Sequence, residues 1–196
     1  MSLLILTAFN SAYAPLGTLC CQSISRYALN HPHVRFVSRL IPEDYPKPPS
    51  WKKVELIRQY LPDHSHVFWL DCDAMIVGKQ DIMQVINPTV TLNIARDDNG
   101  WNNGVACWRN CPEAFTLLDK LEAGYAEHKD SPWFEQSVLH GLESEVDAHE
   151  VPKHIWNAYP EEVTGGGDQT KETLILHFPG MGEERLSVMQ KYLPAA

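Results

Sequence analysis

The residues with the clearest chemical potential are two aspartates that directly follow an apolar run. Asp71 and Asp73 come after Val67-Phe68-Trp69-Leu70, a run typical of a strand buried on both faces of a sheet. Open α/β sheets bind ligands at the carboxyl ends of their strands. Two carboxylates at this spacing repel each other, and a divalent cation relieves that repulsion. The pattern predicts a cation site, and a solvated turn is the alternative interpretation.

A histidine near the end of the chain has a comparable position. His177 follows the run Thr173-Leu174-Ile175-Leu176, a predicted strand, and precedes Phe178-Pro179-Gly180, where the chain can turn close to a ligand. An imidazole together with two carboxylates suits Mn²⁺ or a similar ion. The chain has nine histidines, so an ordinary core or surface role is the alternative for this one.

A lysine in the first turn of a predicted helix is the next candidate. Lys53 and its neighbour Lys52 oppose the helix dipole there, which binding of an anion such as a pyrophosphate would explain. The two lysines could equally well be solvated beside the proline-rich stretch before Ser50, with no ligand bound to them. On either interpretation, replacing Lys53 is expected to leave the stability unchanged or slightly raised.

Two groups of amide and carboxylate side chains suit sugar hydroxyls. Asn102 and Asn103 precede Gly104, and they suit either hydroxyl binding or a plain turn, which is the default interpretation. Glu135 and Gln136 stand at a predicted helix start. They could bind hydroxyls or stabilise a developing positive charge, but a glutamate in a first turn also simply favours the helix dipole.

The elements that must position these residues alternate between strands and helices. Predicted strands cover residues 3–8, 34–37, 67–70, 90–95 and 173–178. Predicted helices begin at Pro15, at a Ser50 cap (to about residue 61), at Pro112 and at Ser131, and a last one holds Leu186, Met189 and Leu193. This alternation predicts an α/β architecture. A chain of 196 residues is most simply one domain, 1–196.

Composition excludes several classes of protein. With 25 acidic and 16 basic residues the net charge is −9, so the chain repels nucleic-acid phosphate. No apolar run approaches the ~20 residues of a membrane span, and the apolar start lacks the basic residues of a signal peptide. The five cysteines show no metal or disulfide spacing, which favours reduced thiols in the cytoplasm.

Taken in order, these residues resemble the galactosyl/xylosyl/mannosyltransferase family, which includes yeast-type alpha-galactosyltransferases and plant xyloglucan xylosyltransferases. The resemblance covers about residues 51–181. The matching motifs are Trp51-x-Lys53-Val54 with Leu56 and Arg58, Trp69-Leu70-Asp71-x-Asp73-Ala74-Met75, Asn102-x-Gly104 with Arg109-Asn110-Cys111, Glu135-Gln136-Ser137, and His177-Phe178-x-Gly180. Two positions depart from the family: Glu135 stands where Asp is usual, and Met181-Gly182-Glu183 replaces a segment that bears cysteine or lysine.

The resemblance implies a GT-A fold, a Rossmann-like and mostly parallel mixed sheet between helices. It implies a retaining transfer of sugar from a UDP- or GDP-linked donor to a hydroxyl of a carbohydrate or other acceptor. It further implies Mn²⁺ held by Asp73 and His177 with Asp71 assisting. The implied donor-binding residues are Thr7, Ala8, Tyr13, Lys53, Asp71, Asn102, Asn103 and Gly180, and the implied catalytic residues are Glu135 and Gln136.

Two alternatives remain open from the sequence. A haloacid-dehalogenase-type phosphatase also places Asp-x-Asp after an apolar strand, but Met75 stands where that family needs Thr or Val. A carbohydrate-binding relative without activity would keep the same fold. The glycines Gly165, Gly166 and Gly167 before Asp168 predict either a mobile lid over the site or a plain linker.

Overall fold

A six-stranded sheet forms the centre of the protein, as a computed structural model shows for residues 2–161 and 167–193. Its strands are β1 (Leu3–Phe9), β2 (Val34–Leu40), β3 (His66–Leu70), β5 (Leu92–Asp97), β6 (Gly100–Arg109) and β7 (Ala148–Glu150). They lie in the order β2-β1-β3-β6-β5-β7, and β6 alone runs antiparallel to its neighbours. The predicted α/β class with a mostly parallel mixed sheet is confirmed.

Helices cover both faces of this sheet. The helices are α1 (Ala14–Leu29), α2 (Lys52–Tyr60), α3 (Ile82–Val85), α4 (Pro112–Ala123), α5 (Tyr125–His128), α6 (Glu135–Gly141), α7 (Lys153–Trp156) and α8 (Arg185–Tyr192). Alternate residues of β1 explain why both faces of its first half are apolar: Leu4 and Leu6 pack with α2 and α4, whereas Leu3 and Ile5 pack with α1. None of the helices in the described part of the chain is long and apolar enough to cross a membrane.

The remaining strands form a small second sheet at the edge where β3 ends. Strands β4 (Ala74–Ile76) and β8 (Ile175–His177) pair antiparallel, with Ala74 opposite His177. His177 does end a strand, as predicted, but that strand belongs to the small sheet and not to the central one. Because β4 begins directly after Asp73, this pairing brings the histidine beside the two aspartates, and the amide of Phe178 donates to the Asp73 carbonyl at 2.9 Å.

Three local predictions are wrong. Residues 101–104, expected as a turn, lie inside β6, because the strand is buried between β3 and β5. Ser50 does not cap α2: it lies in a short 3-10 turn, and its hydroxyl has no partner in the described structure. The helix expected from Ser131 begins only at Glu135, because Phe134 has a φ of +47°, outside the helical region.

Candidate functional site

Three side chains that are far apart in sequence meet at the end of β3. Asp71, Asp73 and His177 each offer one ligand atom, and these atoms lie within 4.8 Å of one another. His177 Nε2 is 3.4 Å from Asp73 Oδ1. Two carboxylate oxygens and an imidazole nitrogen form a donor set that suits Mn²⁺ and similar ions, so these residues fit a divalent cation.

A glycine keeps the space between these ligands open. A Cβ at Gly104 would lie 2.6 Å from His177 Cε1 and 2.9 Å from Asp71 Oδ2. The carbonyl of the same glycine accepts a hydrogen bond from the Asp71 amide at 2.8 Å, which fixes β6 against the end of β3. Any side chain at position 104 would occupy the room that the imidazole and the carboxylate now share.

Each aspartate has one oxygen held by a cationic side chain. Lys53 Nζ lies 3.2 Å from Asp71 Oδ1, which also accepts from Trp69 Nε1 at 2.5 Å. Arg185, the first residue of α8, donates from Nη1 to Asp73 Oδ2 at 2.7 Å. The other oxygens, Asp71 Oδ2 and Asp73 Oδ1, are left on the side of His177.

A buried asparagine fixes the orientation of the histidine. Asn157 is fully buried, and its Oδ1 is 2.8 Å from His177 Nδ1. An amide oxygen only accepts, so the imidazole Nδ1 donates this bond and Nε2 is the ring nitrogen that faces Asp73. Nε2 is therefore the nitrogen that a metal can bind at this site.

The carboxyl group of Asp73 is held in its ionised form. Burial acts to raise its pKa, but the hydrogen bond from His177 and the positive charge of Arg185 outweigh burial and lower it. An ionised carboxylate at this position is ready to accept a cation without first losing a proton.

Behind Asp71 lies a buried ion pair between Lys53 and Glu135. Lys53 Nζ is 2.9 Å from Glu135 Oε1 and 2.8 Å from the carbonyl of Asn103, and both charged side chains are about 95% buried. Burial acts to lower the lysine pKa, yet the charges of Asp71 and Glu135 raise it. The pKa of Glu135 is raised because burial outweighs the lysine. The interpretation of Lys53 as a solvated lysine is wrong, since its side chain is buried and pairs with two carboxylates, and we therefore expect its loss to cost stability.

Two clefts meet at the aspartates. The first cleft, of about 390 Å³, is lined by Ala8, Asn10, Tyr13, Lys53 and Arg185 together with Asp71 and Asp73. The second cleft, of about 640 Å³, also contains Asp71 and Asp73 and adds His177, Asn102, Gln136 and Gly180. Both volumes lie within the ~300–1,000 Å³ of small-molecule sites.

Three of the residues predicted from sequence lie behind the cleft walls. Thr7 is fully buried in β1, beneath Ala8, and its hydroxyl is 3.8 Å from Cys20 Sγ. Asn103 is fully buried, and its backbone N–H donates to Gln136 Oε1 at 2.7 Å. Glu135 is 3% exposed and contacts Lys53.

Several residues of the site were not found from the sequence. Arg185 carries the same signal that singled out Lys53, a positive charge in a first helical turn. No such signal marks Asn157, Asp97 or Tyr159, because only tertiary contacts bring these residues to the site. Of the glycine segment, Gly165 and Gly166 lie outside the described residues, and Asp168 accepts from Lys153 and from the Tyr159 amide.

Comparisons with known proteins identify the fold. No protein-family model and no curated protein sequence matches the chain. A glycosyltransferase involved in glycosylation of the major capsid of PBCV-1 is similar at a TM-score of 0.76 and 16% identity, over 97% of this chain and 100% of that one. The galactosyltransferase LgtC, solved with donor and acceptor sugar analogues, is similar at a TM-score of 0.64 and 13% identity. The match covers 98% of this chain and 97% of that one.

A third similar structure is the glycosyltransferase GlyE of Streptococcus pneumoniae TIGR4, with a TM-score of 0.62 and 14% identity. All of this chain and 61% of that one are covered. At these identities the likeness concerns the fold, so the chain has the mixed α/β GT-A fold of these glycosyltransferases.

Proposed function

We propose that the protein is a metal-dependent glycosyltransferase that moves a sugar from a nucleoside-diphosphate sugar to an acceptor hydroxyl. The observation that carries this proposal is the position of Asp71 and Asp73, which line both clefts at once. A donor has two unlike halves joined by a diphosphate, and it needs two adjoining clefts with a cation at their junction. The fold shared with solved glycosyltransferases supports the same activity.

The first cleft suits the nucleoside half, which is UDP or GDP in this proposal. Tyr13 is 46% exposed at its wall, so its ring is free to stack on a base. Ala8 lines the same cleft, and Thr7 supports the wall from behind. Lys53 and Arg185 line the same cleft and place two positive charges beside the aspartates, near the expected position of the diphosphate.

Asp73 and His177, with Asp71 assisting, would hold the cation, which we take to be Mn²⁺ from the donor set. When bound, such an ion neutralises charge on the leaving diphosphate. The acceptor oxygen bonds to the anomeric carbon as the bond from that carbon to the phosphate oxygen breaks. The electron pair leaves with the nucleoside diphosphate, which also takes the hydroxyl proton.

The second cleft suits the donor sugar and the reacting carbon. Asn102, Gln136 and Gly180 line it, and Gln136 is held in place through its bond from the Asn103 amide. We assign Gln136 as the catalytic group closest to the anomeric carbon. Glu135 acts with it in this proposal by fixing Lys53 and the start of α6, and Asn103 contributes through its backbone.

The finer identity rests on the motif resemblance. We infer that the chain is a retaining enzyme of the galactosyl/xylosyl/mannosyltransferase kind, built as a single domain. The five cysteines are all unpaired, which supports a cytoplasmic location. The net charge of −9 disfavours a nucleic-acid partner. A phosphatase gains no support from the fold, because the similar structures named above are glycosyltransferases.

Thermal stability with a panel of UDP- and GDP-sugars, with and without Mn²⁺, tests the proposal. A ligand at about 100 times its Kd adds about 2.7 kcal/mol to the stability, so a donor should raise the Tm by several degrees only when Mn²⁺ is present. Asp73→Asn should abolish this shift. Asp119→Asn, at an exposed carboxylate paired with Arg58, is the control.

Release of nucleoside diphosphate from the stabilising donor then separates an enzyme from a binding protein. Slow Mn²⁺-dependent hydrolysis, accelerated by an acceptor, is the expected result. Binding without turnover would favour the inactive carbohydrate-binding relative. If no nucleotide on the panel gives a Mn²⁺-dependent shift, the proposal is wrong.

A further inference from the structure

The outer rim of the second cleft carries an aromatic side chain that the donor assignment does not use. Trp133 is 46% exposed, whereas Trp51, Trp108 and Trp156 are almost completely buried. Its ring packs edge-on against His140 at 5.7 Å, and His140 Nε2 is 3.0 Å from the Trp101 carbonyl. The indole is therefore held in position with one side open to the cleft. A fixed and exposed aromatic face is a platform for an apolar surface of a ligand.

The same rim carries a preorganised acceptor of hydrogen bonds. Asp97 Oδ2 accepts from Tyr159 Oη at 2.7 Å and from Asn102 Nδ2 at 2.8 Å, and its Oδ1 accepts from the Asn99 amide at 2.7 Å. Burial acts to raise the pKa of this carboxyl, but these hydrogen bonds lower it. The carboxylate is thus ionised and rigid, and one lone pair on Oδ1 remains for a ligand.

The exposure of these residues separates them from the floor of the cleft. Asn99, Pro132 and Trp133 are exposed, whereas Gly104 and His177 on the floor are buried. The floor adjoins the cation ligands and takes the donor sugar in the function proposed above. The rim is then the part of the cleft that remains for the second substrate.

We propose that this rim binds the acceptor and that the acceptor is a neutral saccharide, with a pyranose face on the Trp133 indole and hydroxyls bonded to Asp97. This inference rests on the proposed function, because it concerns the second substrate of the same site. A sugar ring presents an apolar C–H face and a hydroxyl edge, which match the aromatic platform and the rigid carboxylate.

Other acceptor classes match this rim less well. A lipid needs a continuous apolar wall, and the carboxylate of Asp97 interrupts it. A phosphorylated acceptor would meet Asp97 on the rim and Asp71 and Asp73 on the floor, all of them negative. A peptide could bind through the indole, but among the described residues the rim offers no row of backbone groups that would hold an extended chain.

Titration of the protein loaded with UDP and Mn²⁺ tests the proposal. The probes are methyl glycosides of glucose, galactose, mannose and xylose, with lactose and maltose, followed by calorimetry and saturation-transfer NMR. We expect at least one of them to bind. Trp133→Ala should weaken that binding about tenfold or more, which corresponds to about 1.4 kcal/mol, and Trp133→Phe should retain most of it.

Three further variants make the result specific. Asp97→Asn should also weaken saccharide binding, which keeps the test usable if Trp133→Ala fails to fold. Leu29→Ala removes an apolar side chain that is 85% exposed and lines neither cleft, and it should change nothing. Tyr13→Ala should show the reverse pattern, with weaker UDP binding and unchanged saccharide affinity once UDP saturates.

Two results would overturn the inference. One is equal saccharide affinity in Trp133→Ala and the parent protein. The other is no binding of any probe while UDP and Mn²⁺ bind normally, which would favour a peptide or lipid acceptor. Failure of the parent protein to bind UDP and Mn²⁺ would instead contradict the proposed transferase function, and the saccharide titration of the unloaded protein would still test the rim.

Discussion

Replacing Lys53 with methionine is expected to destabilise the protein strongly. The lysine and Glu135 side chains are only 5% and 4% exposed, and their charged atoms are 2.9 Å apart. Removing one partner of a buried ion pair costs about 3–5 kcal/mol, because the other charge stays buried without compensation. Asp71 contributes less to this loss, since it is 31% exposed and keeps its bond from Trp69. In a domain of this size the loss lowers the Tm by roughly 10 °C.

The destabilisation should depend on pH. In the variant the lysine no longer opposes the effect of burial on Glu135, so the folded-state pKa of Glu135 rises further above the unfolded value of about 4.3. A carboxyl whose folded-state pKa is raised costs no stability below the unfolded pKa, and its cost grows as the pH rises toward the folded pKa. The difference in unfolding free energy between variant and parent should be small near pH 4.5 and largest above neutral pH.

Urea denaturation between pH 4.5 and 8 provides the assay. Lys52→Met is the matched control, because Lys52 is the preceding residue and pairs with Glu55 at the surface at 2.7 Å, a contact worth about 0–1 kcal/mol. The double variant Lys53→Met with Glu135→Gln should recover most of the stability. A loss no larger than that of Lys52→Met, or one that does not vary with pH, would refute this account of the buried pair.

Three further changes test the cation site. Asp73→Asn should eliminate Mn²⁺ binding measured by calorimetry while shifting the Tm by only about 2–4 °C, and a collapse of the fold would show that the carboxylate is structural. Gly104→Ala should weaken Mn²⁺ binding about 10-fold or more, because its Cβ would lie 2.6 Å from His177 Cε1. Gly141→Ala, where a Cβ meets nothing within 4 Å, should have no effect on the ion. Arg185→Gln should tighten binding of Mn²⁺ alone by about tenfold, because it removes a positive charge at 2.7 Å from Asp73, and weaker binding would contradict that competition.

The parts of the fold that sequence analysis predicted are those fixed by local pattern. Strand β3 is a run of buried residues that ends at Leu70, directly before Asp71, and the apolar sequence from Val67 to Leu70 is enough to identify it. Helix α1 begins beside Pro15 and buries Leu16, Leu19, Cys20, Ile24 and Tyr27, which recur at helical spacing. The alternation of such elements gives the architecture, and the polar residues at their ends give candidates for the site.

The errors arise where tertiary contacts override local preference. The start of β6 contains Trp101, two asparagines and Gly104, which as a local sequence favour a turn. They form a strand because Gly104 must lie against the end of β3, where its carbonyl binds the Asp71 amide. Strand propensity is largely a measure of such packing, so a single sequence does not reveal it. For the same reason, the sequence did not reveal the contacts of Arg185 with Asp73 and of Asn157 with His177.

The charges of the site explain why a cation should be required. Asp71, Asp73 and Glu135 supply three negative charges, and Lys53 and Arg185 supply two positive ones, which leaves the site at −1. A nucleoside diphosphate approaching this site alone meets a negative charge. A bound divalent ion changes the site to +1, so it should bind before the diphosphate and each should strengthen the binding of the other. The two cationic side chains are already paired with the carboxylates and cannot replace the ion, which is why we propose cation binding as the function of the aspartates at the junction of the clefts.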